Sequence, residues 1–141
     1  MILTNSSLMY RWSFIIGPRY ESTASKGILH EILHLKGANP GDPPYWHRHT
    51  SEIEMGQHSN LLVRVIIGHI KHPYVLPAML RGVPLVQGVP QSEFSCAMWA
   101  EKVVAKMKEI EGEFSGLVSD WERIQEVAMG FAQTRAPERG L

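Results

Sequence analysis

The hydrophobic pattern of this chain changes period near Pro73, and that change limits its fold class more than any other feature. Before it, residues 9–17 (M-Y-R-W-S-F-I-I-G), 27–36 (G-I-L-H-E-I-L-H-L-K), 45–54 (Y-W-H-R-H-T-S-E-I-E) and 61–70 (L-L-V-R-V-I-I-G-H-I) alternate or run apolar over strand lengths. Turn residues separate them, most densely in A-N-P-G-D-P-P at 38–44. After it, apolar side chains recur every three or four positions, as one face of a helix requires. Strands first and helices later predict an α+β domain, with C-terminal helices packed on an antiparallel sheet.

Residues 1–7 are expected to be a loose leader and 135–141 a loose tail of a single domain spanning 1–141. Gly17 and Gly27 bound a hairpin whose long loop, 19–26, is rich in Ser and Thr. The run 61–70 is β-branched and nearly all apolar, so it belongs at the centre of the sheet. Arg64 inside it must face solvent or find a partner. Residues 73–81 predict a short helix stopped by Gly82, with Pro77 shortening or kinking it. An extended stretch, 83–89, leads into a second helix. There Cys96, Trp99, Ala100, Val103, Met107 and Ile110 share a face, Ser92 is the expected N-cap, and the end falls near Gly112. Ser119–Asp120–Trp121–Glu122 is a capping box that opens a last helix with Trp121, Ile124, Ala128 and Phe131 on its inner face.

Composition narrows the function classes. Fourteen basic residues balance fourteen acidic ones, so no net field recruits nucleic acid or an anionic membrane. The N-terminal stretch has no basic segment followed by an apolar run, and no apolar run approaches the ~20 residues of a membrane span. The one cysteine excludes an internal disulfide and a C-x-x-C site. A reducing, cytoplasmic setting is expected, with no cofactor; the oligomeric state is left open.

A thiol in the first turn of a helix is where thiolates are stabilised, and Cys96 has that position. The plain alternative is a buried cysteine acting as a small hydrophobe. All seven histidines precede Cys96, so a cysteine–histidine pair would run His, then Cys. His30 and His34 share one strand face, and alternation alone does not choose between them.

Six pieces carry a resemblance. They are Y-R-W-S-F-I-I-G at 10–17, I-L-H-L-K at 32–36, L-L-V-R-V-I-I-G at 61–68, V-P-L-V-Q-G at 83–88, F-S-C-A-M-W-A at 94–100 and D-W-E-R-I at 120–124. In these the chain resembles a family of small uncharacterised fungal proteins, over about nine tenths of its length. That layout is similar to circularly permuted papain-like folds of the lecithin–retinol acyltransferase type. The resemblance implies Cys96 as nucleophile and His34 as its imidazole partner. The family's other histidine, before the first-strand tryptophan, is replaced here by Arg11, which cannot act as a base but can hold a thiolate or bind a carboxylate. Trp12, Trp46 and Trp99 are the substrate-binding candidates of that reading, although aromatics at strand and helix positions are usually core.

A second pattern is Gly41-x5-His47-x-His49-x4-Glu54, the spacing of one half of a cupin metal motif. The other half needs a later histidine, and none follows His72. The two are therefore read as polar strand histidines, and no metal is expected. Two functions follow for the scaffold. One is a cysteine-dependent hydrolase or acyl-transfer enzyme acting on a small intracellular ester, amide or thioester, with a role in small-molecule biosynthesis. The alternative is a catalytically silent module that binds a small molecule or a partner.

Overall fold

A computed structural model of the chain describes residues 2–6, 9–18, 24–55, 61–110 and 112–138. Its elements are β1 (Ile2–Ser6), β2 (Met9–Ile16), β3 (Lys26–Leu35), β4 (Tyr45–Glu54), β5 (Leu61–Arg64), β6 (His69–Ile70), α1 (Val75–Arg81), α2 (Cys96–Glu109), β7 (Phe114–Ser115) and α3 (Trp121–Glu138). The first five strands form one sheet in the order β4-β3-β2-β1-β5, and every pairing in it is antiparallel. The fold is α+β, as the change of period implies.

Alternation decides which side chains face the helices. Trp12 and Phe14 of β2, Ile32 of β3 and Trp46 of β4 join Trp99, Val103, Val104 and Met107 of α2 in the main core, with Ile124, Ala128 and Ala132 of α3. The opposite side chains, Leu29 and Ile53, form a smaller cluster with Met55 and Ile15. A Cβ at Gly27 would displace the Met55 sulfur and stand 3.0 Å from the Ile16 carbonyl, so glycine eases this close crossing.

Several expectations change. Residues 2–6 are not a loose leader: they form β1, hydrogen-bonded between β2 and β5. The apolar run 61–70 is not one central strand. It splits into β5, at the edge of the sheet, and β6, which pairs with β7 in a separate ladder. Pairing with β1 closes at Ile2↔Arg64, and the Ile67 carbonyl then accepts from the Val118 N–H at 2.7 Å. The run is apolar because Ile67 enters the core and Val65 packs against it, not because strands flank it on both sides.

The helix starts also move. Ser95, not Ser92, caps α2, its hydroxyl accepting from the Met98 N–H at 3.3 Å. Residues 90–94 are instead spent on a turn in which the N–H groups of Glu93 and Phe94 both bond the Pro90 carbonyl. In α3 the carboxylate of Asp120 takes the Arg123 N–H at 3.2 Å, one residue beyond the expected Ser119. Phe131 is half exposed, and Ala132 takes the buried position expected of it. The helix runs on to Glu138, so the expected loose tail is helical over most of its length. Pro77 lies in the first turn of α1, where its missing N–H has no helical partner to lose, and the helix runs to Arg81. The loop expected at 19–26 lies mostly outside the described residues.

Candidate functional site

Two places concentrate chemistry. The first is the start of α2. Strand β2 pairs with β1 through Met9–Ser13 but with β3 only through Phe14–Ile16, so it changes neighbour at Ser13. On the side that β3 has left, the Trp12 backbone bonds the Cys96 sulfur, and the Arg11 charge acts on it. Arg11 Nη2 in turn stands 3.5 Å from Oε1 of Glu31, and His49 Nδ1 stands 3.3 Å from Oε2. Glu31 is buried, while its two partners are partly exposed.

Burial dominates the thiol. Desolvation pushes the Cys96 pKa above its ordinary value, against the opposing pull of the Trp12 backbone, Arg11 and the backbone of Cys96 and Ala97. At neutral pH the group is a thiol, not a thiolate. The helix start lowers a cysteine pKa only when water or charge compensates for desolvation, and a partly buried sulfur packed against the core has too little of either.

The structure brings Arg11 and Cys96 together and does not bring His34 into hydrogen-bond contact with them. His34 is exposed, stacks on Trp46 with ring centroids 4.5 Å apart, and has its Nδ1 3.4 Å from the Gln91 amide nitrogen. His30 is buried beside Thr50, Oγ1 to Nδ1 3.3 Å, and burial holds its pKa below the ordinary imidazole value. Trp12, Trp46 and Trp99 are all core residues: Trp12 meets Trp121 at 4.9 Å, Trp46 meets Phe94 at 5.8 Å, and Trp99 meets Phe14 edge-on at 5.4 Å. His49 turns to Glu31 while His47 stays exposed beside Tyr45, and among the described residues no three metal-ligating side chains gather.

The V-P-L-V-Q segment has a structural explanation. The Gln87 side chain copies a strand on the open edge of β4, accepting from the Trp46 N–H at 2.8 Å and donating to its carbonyl at 2.9 Å. Arg48 donates to the Val83 carbonyl at 2.7 Å. These bonds clamp the approach to α2.

The second place is a cavity of about 660 Å³ between the end of β2, the 64–71 segment and the β7 region. Its wall is largely aliphatic, including Ile16, Ile67, Ile70, Leu76, Met107 and Leu117. Arg64, His69, Lys71 and Glu113 are the ionisable residues on it. Glu113 accepts from the His72 backbone N–H at 2.6 Å and lies 3.2 Å from its Nδ1. Burial works to raise the Glu113 pKa, but the His72 hydrogen bonds and the charges of His72 and Lys71 together outweigh it, so the carboxyl lies below its usual range.

Sequence reading missed Glu31 and this cavity. The signal for Glu31 was present: it is the one carboxylate inside I-L-H-E-I-L, and a charge in such a run needs partners. No pattern marked the cavity, because its wall comes from parts of the chain that pair only after folding. A sequence profile for a family of unknown function, DUF6914, matches residues 3–140, and the chain belongs to that family. Neither a curated protein nor a solved structure matches it. Among the described residues no helix is long and apolar enough to cross a membrane.

Proposed function

We propose that this member of DUF6914 is a small-molecule-binding domain whose ligand occupies the cavity between β2, the 64–71 segment and the β7 region. The observation that carries the reading is the cavity itself, about 660 Å³ with a mostly aliphatic wall, a size and chemistry suited to enclosing the apolar body of one ligand. The reading takes the catalytically silent branch, because the thiol is held protonated by burial and its neighbours are a guanidinium and backbone groups. A permuted papain-like scaffold fits it, with Arg11 standing where that fold type carries a base.

The test is titration with a neutral fluorescent apolar probe, N-phenyl-1-naphthylamine, against wild type and Ile66→Trp. Ile66 lies on the cavity wall and is 76% exposed, so a larger ring there blocks the mouth without entering the core. Saturable one-to-one binding that the variant weakens supports the reading; no saturable binding by the folded wild type sinks it.

A second reading keeps Cys96 as the nucleophile of a hydrolase or acyltransferase. One observation favours it: the Trp12, Cys96 and Ala97 backbone and the Arg11 charge all act to stabilise a thiolate at that sulfur. His34 would then have to leave Gln91 and Trp46 to serve as base.

A further inference from the structure

We propose that β4 is a self-association edge: two copies of this chain join antiparallel along residues 48–54, making one sheet that runs through both five-stranded sheets.

Strand β4 ends the strand order β4-β3-β2-β1-β5 and pairs with β3 alone, without a break in register from Tyr45 to Glu54. In an antiparallel ladder the backbone groups of alternate residues point to opposite sides. Gln87 holds the Trp46 N–H and carbonyl on the side away from β3, so those of Arg48, Thr50, Glu52 and Glu54 point outward as well. The Met55 N–H, in the other half of the alternation, bonds the Ser25 carbonyl on the β3 side. Among the described residues nothing bonds the outward backbone groups from Arg48 to Glu54. All four residues are exposed. Such a row of unpaired strand groups is a template for another strand.

The charges select the occupant. Among the described residues no carboxylate lies within ion-pair distance of Arg48. Its bond to the neutral Val83 carbonyl leaves the charge uncompensated and other guanidinium donors free. At the far end of the open stretch, Lys26 lies opposite Glu54 in the sheet but gives its ammonium to Glu52 at 3.3 Å. Two carboxylates there share one cation, and that end is negative.

Full antiparallel overlap of two 48–54 stretches sets Ser51 against its own copy at the centre. Arg48 then stands opposite Glu54 of the second copy, and Thr50 opposite Glu52, twice each by symmetry. Directly opposite residues share a sheet face, so the unmatched cation of one copy meets the negative end of the other. A parallel alignment would instead place Arg48 beside Arg48. Slipping one step toward Trp46 leaves Glu54 opposite groups that Gln87 already holds, and one step the other way sets Glu52 against Glu52. Charges on an edge ordinarily keep strands apart, but here their order is self-complementary.

Sedimentation velocity of the full chain over a concentration series reads the association. Wild type is expected to rise from 15.9 kDa toward twice that mass as the concentration enters the hundreds of micromolar. Arg48→Glu and Glu54→Arg should each weaken self-association roughly tenfold, because each sets like charges opposite at both ends of the ladder. Mixed in equal amounts the two variants should associate again, since every glutamate at these ends then faces an arginine. Glu52→Pro removes an outward N–H that makes no bond to β3, and it should stay monomeric. The proposal is overturned by a dimer that survives the charge reversals or the proline, or by a mixture that stays apart. A wild type that is monomeric throughout also overturns it, and leaves the edge to a strand from another protein.

Discussion

The Arg11 guanidinium stands 3.5 Å from one oxygen of Glu31, and the same cation acts on the Cys96 sulfur. One positive group therefore serves a buried carboxylate and a half-buried thiol, while His49 holds the second carboxylate oxygen at 3.3 Å. Removing any member changes the charge felt by the others, and this coupling is measurable at the sulfur.

Alkylation of Cys96 by iodoacetamide against pH is expected to show a thiol that titrates above its ordinary range. Arg11→Gln should move the titration higher by removing a cation, and Glu31→Gln should move it lower by freeing that cation. His34→Ala should leave it in place, since His34 contacts Gln91 and Trp46. A titration below the ~8.5 of a free thiol, abolished by His34→Ala, would establish the enzyme reading instead.

Glu31→Gln should also cost about 1–2 kcal/mol of stability, because it takes the carboxylate away from the Arg11 guanidinium and weakens the contact with the His49 ring. Urea unfolding of the variant measures it. A loss under about 0.3 kcal/mol would mean that the ion pairs are replaced by water without penalty.

Stability should fall as pH drops through the range where an unfolded histidine gains its proton. Burial holds the folded pKa of His30 below the ordinary imidazole value, so the unfolded state binds the proton more readily. The contribution is complete above the unfolded pKa and is lost as pH falls toward the folded one. His30→Gln should flatten that slope; an equal slope in both proteins would assign the dependence to other groups.

Ser95→Ala is expected to cost about 1 kcal/mol, the usual worth of an N-cap hydroxyl, and Ser92→Ala close to nothing. Thermal unfolding of the two variants distinguishes the observed cap from the one the sequence suggests. The reverse order would move the start of α2 by a turn.

Glu113→Gln should speed hydrogen exchange at the His72 and Lys71 amides, since it weakens the grip that joins the two short strands. The wild-type carboxylate, with its pKa lowered, contributes its stabilisation above the unfolded carboxyl range, and that stabilisation is lost as pH falls through the folded value. Wild-type exchange at these amides should therefore rise in acid relative to the variant. Exchange unaffected by the substitution would show that the backbone ladder holds the ribbon alone.

Strands β2, β3 and β4 were legible because each pairs locally and alternates against a single core. Strand β1 was not, because I-L-T-N-S is short and its extended state comes from two distant neighbours. The run 61–70 was recognised as strand but misplaced, since apolarity reports burial and does not say whether strands or helices supply it. At the site, the position of Cys96 at a helix start was readable; whether desolvation or the helix start governs its proton was not. That depends on how deeply the Trp12 backbone and the core enclose the sulfur, a property of the fold.

The sheet order has a kinetic consequence. The β2–β3–β4 meander closes through loops between chain neighbours, so it forms from contacts of short and moderate sequence separation. Strand β1 pairs with β2 next to it in sequence, but its other edge waits for residues 61–64. Joining those ends spans more than half a hundred positions, and the entropy of that closure is spent before the contacts repay it. Docking of β5 is therefore a late step on the folding path. On a chain emerging from a ribosome, the open edge of β1 stays without its partner until residues 61–64 have followed the whole β2–β3–β4 meander out.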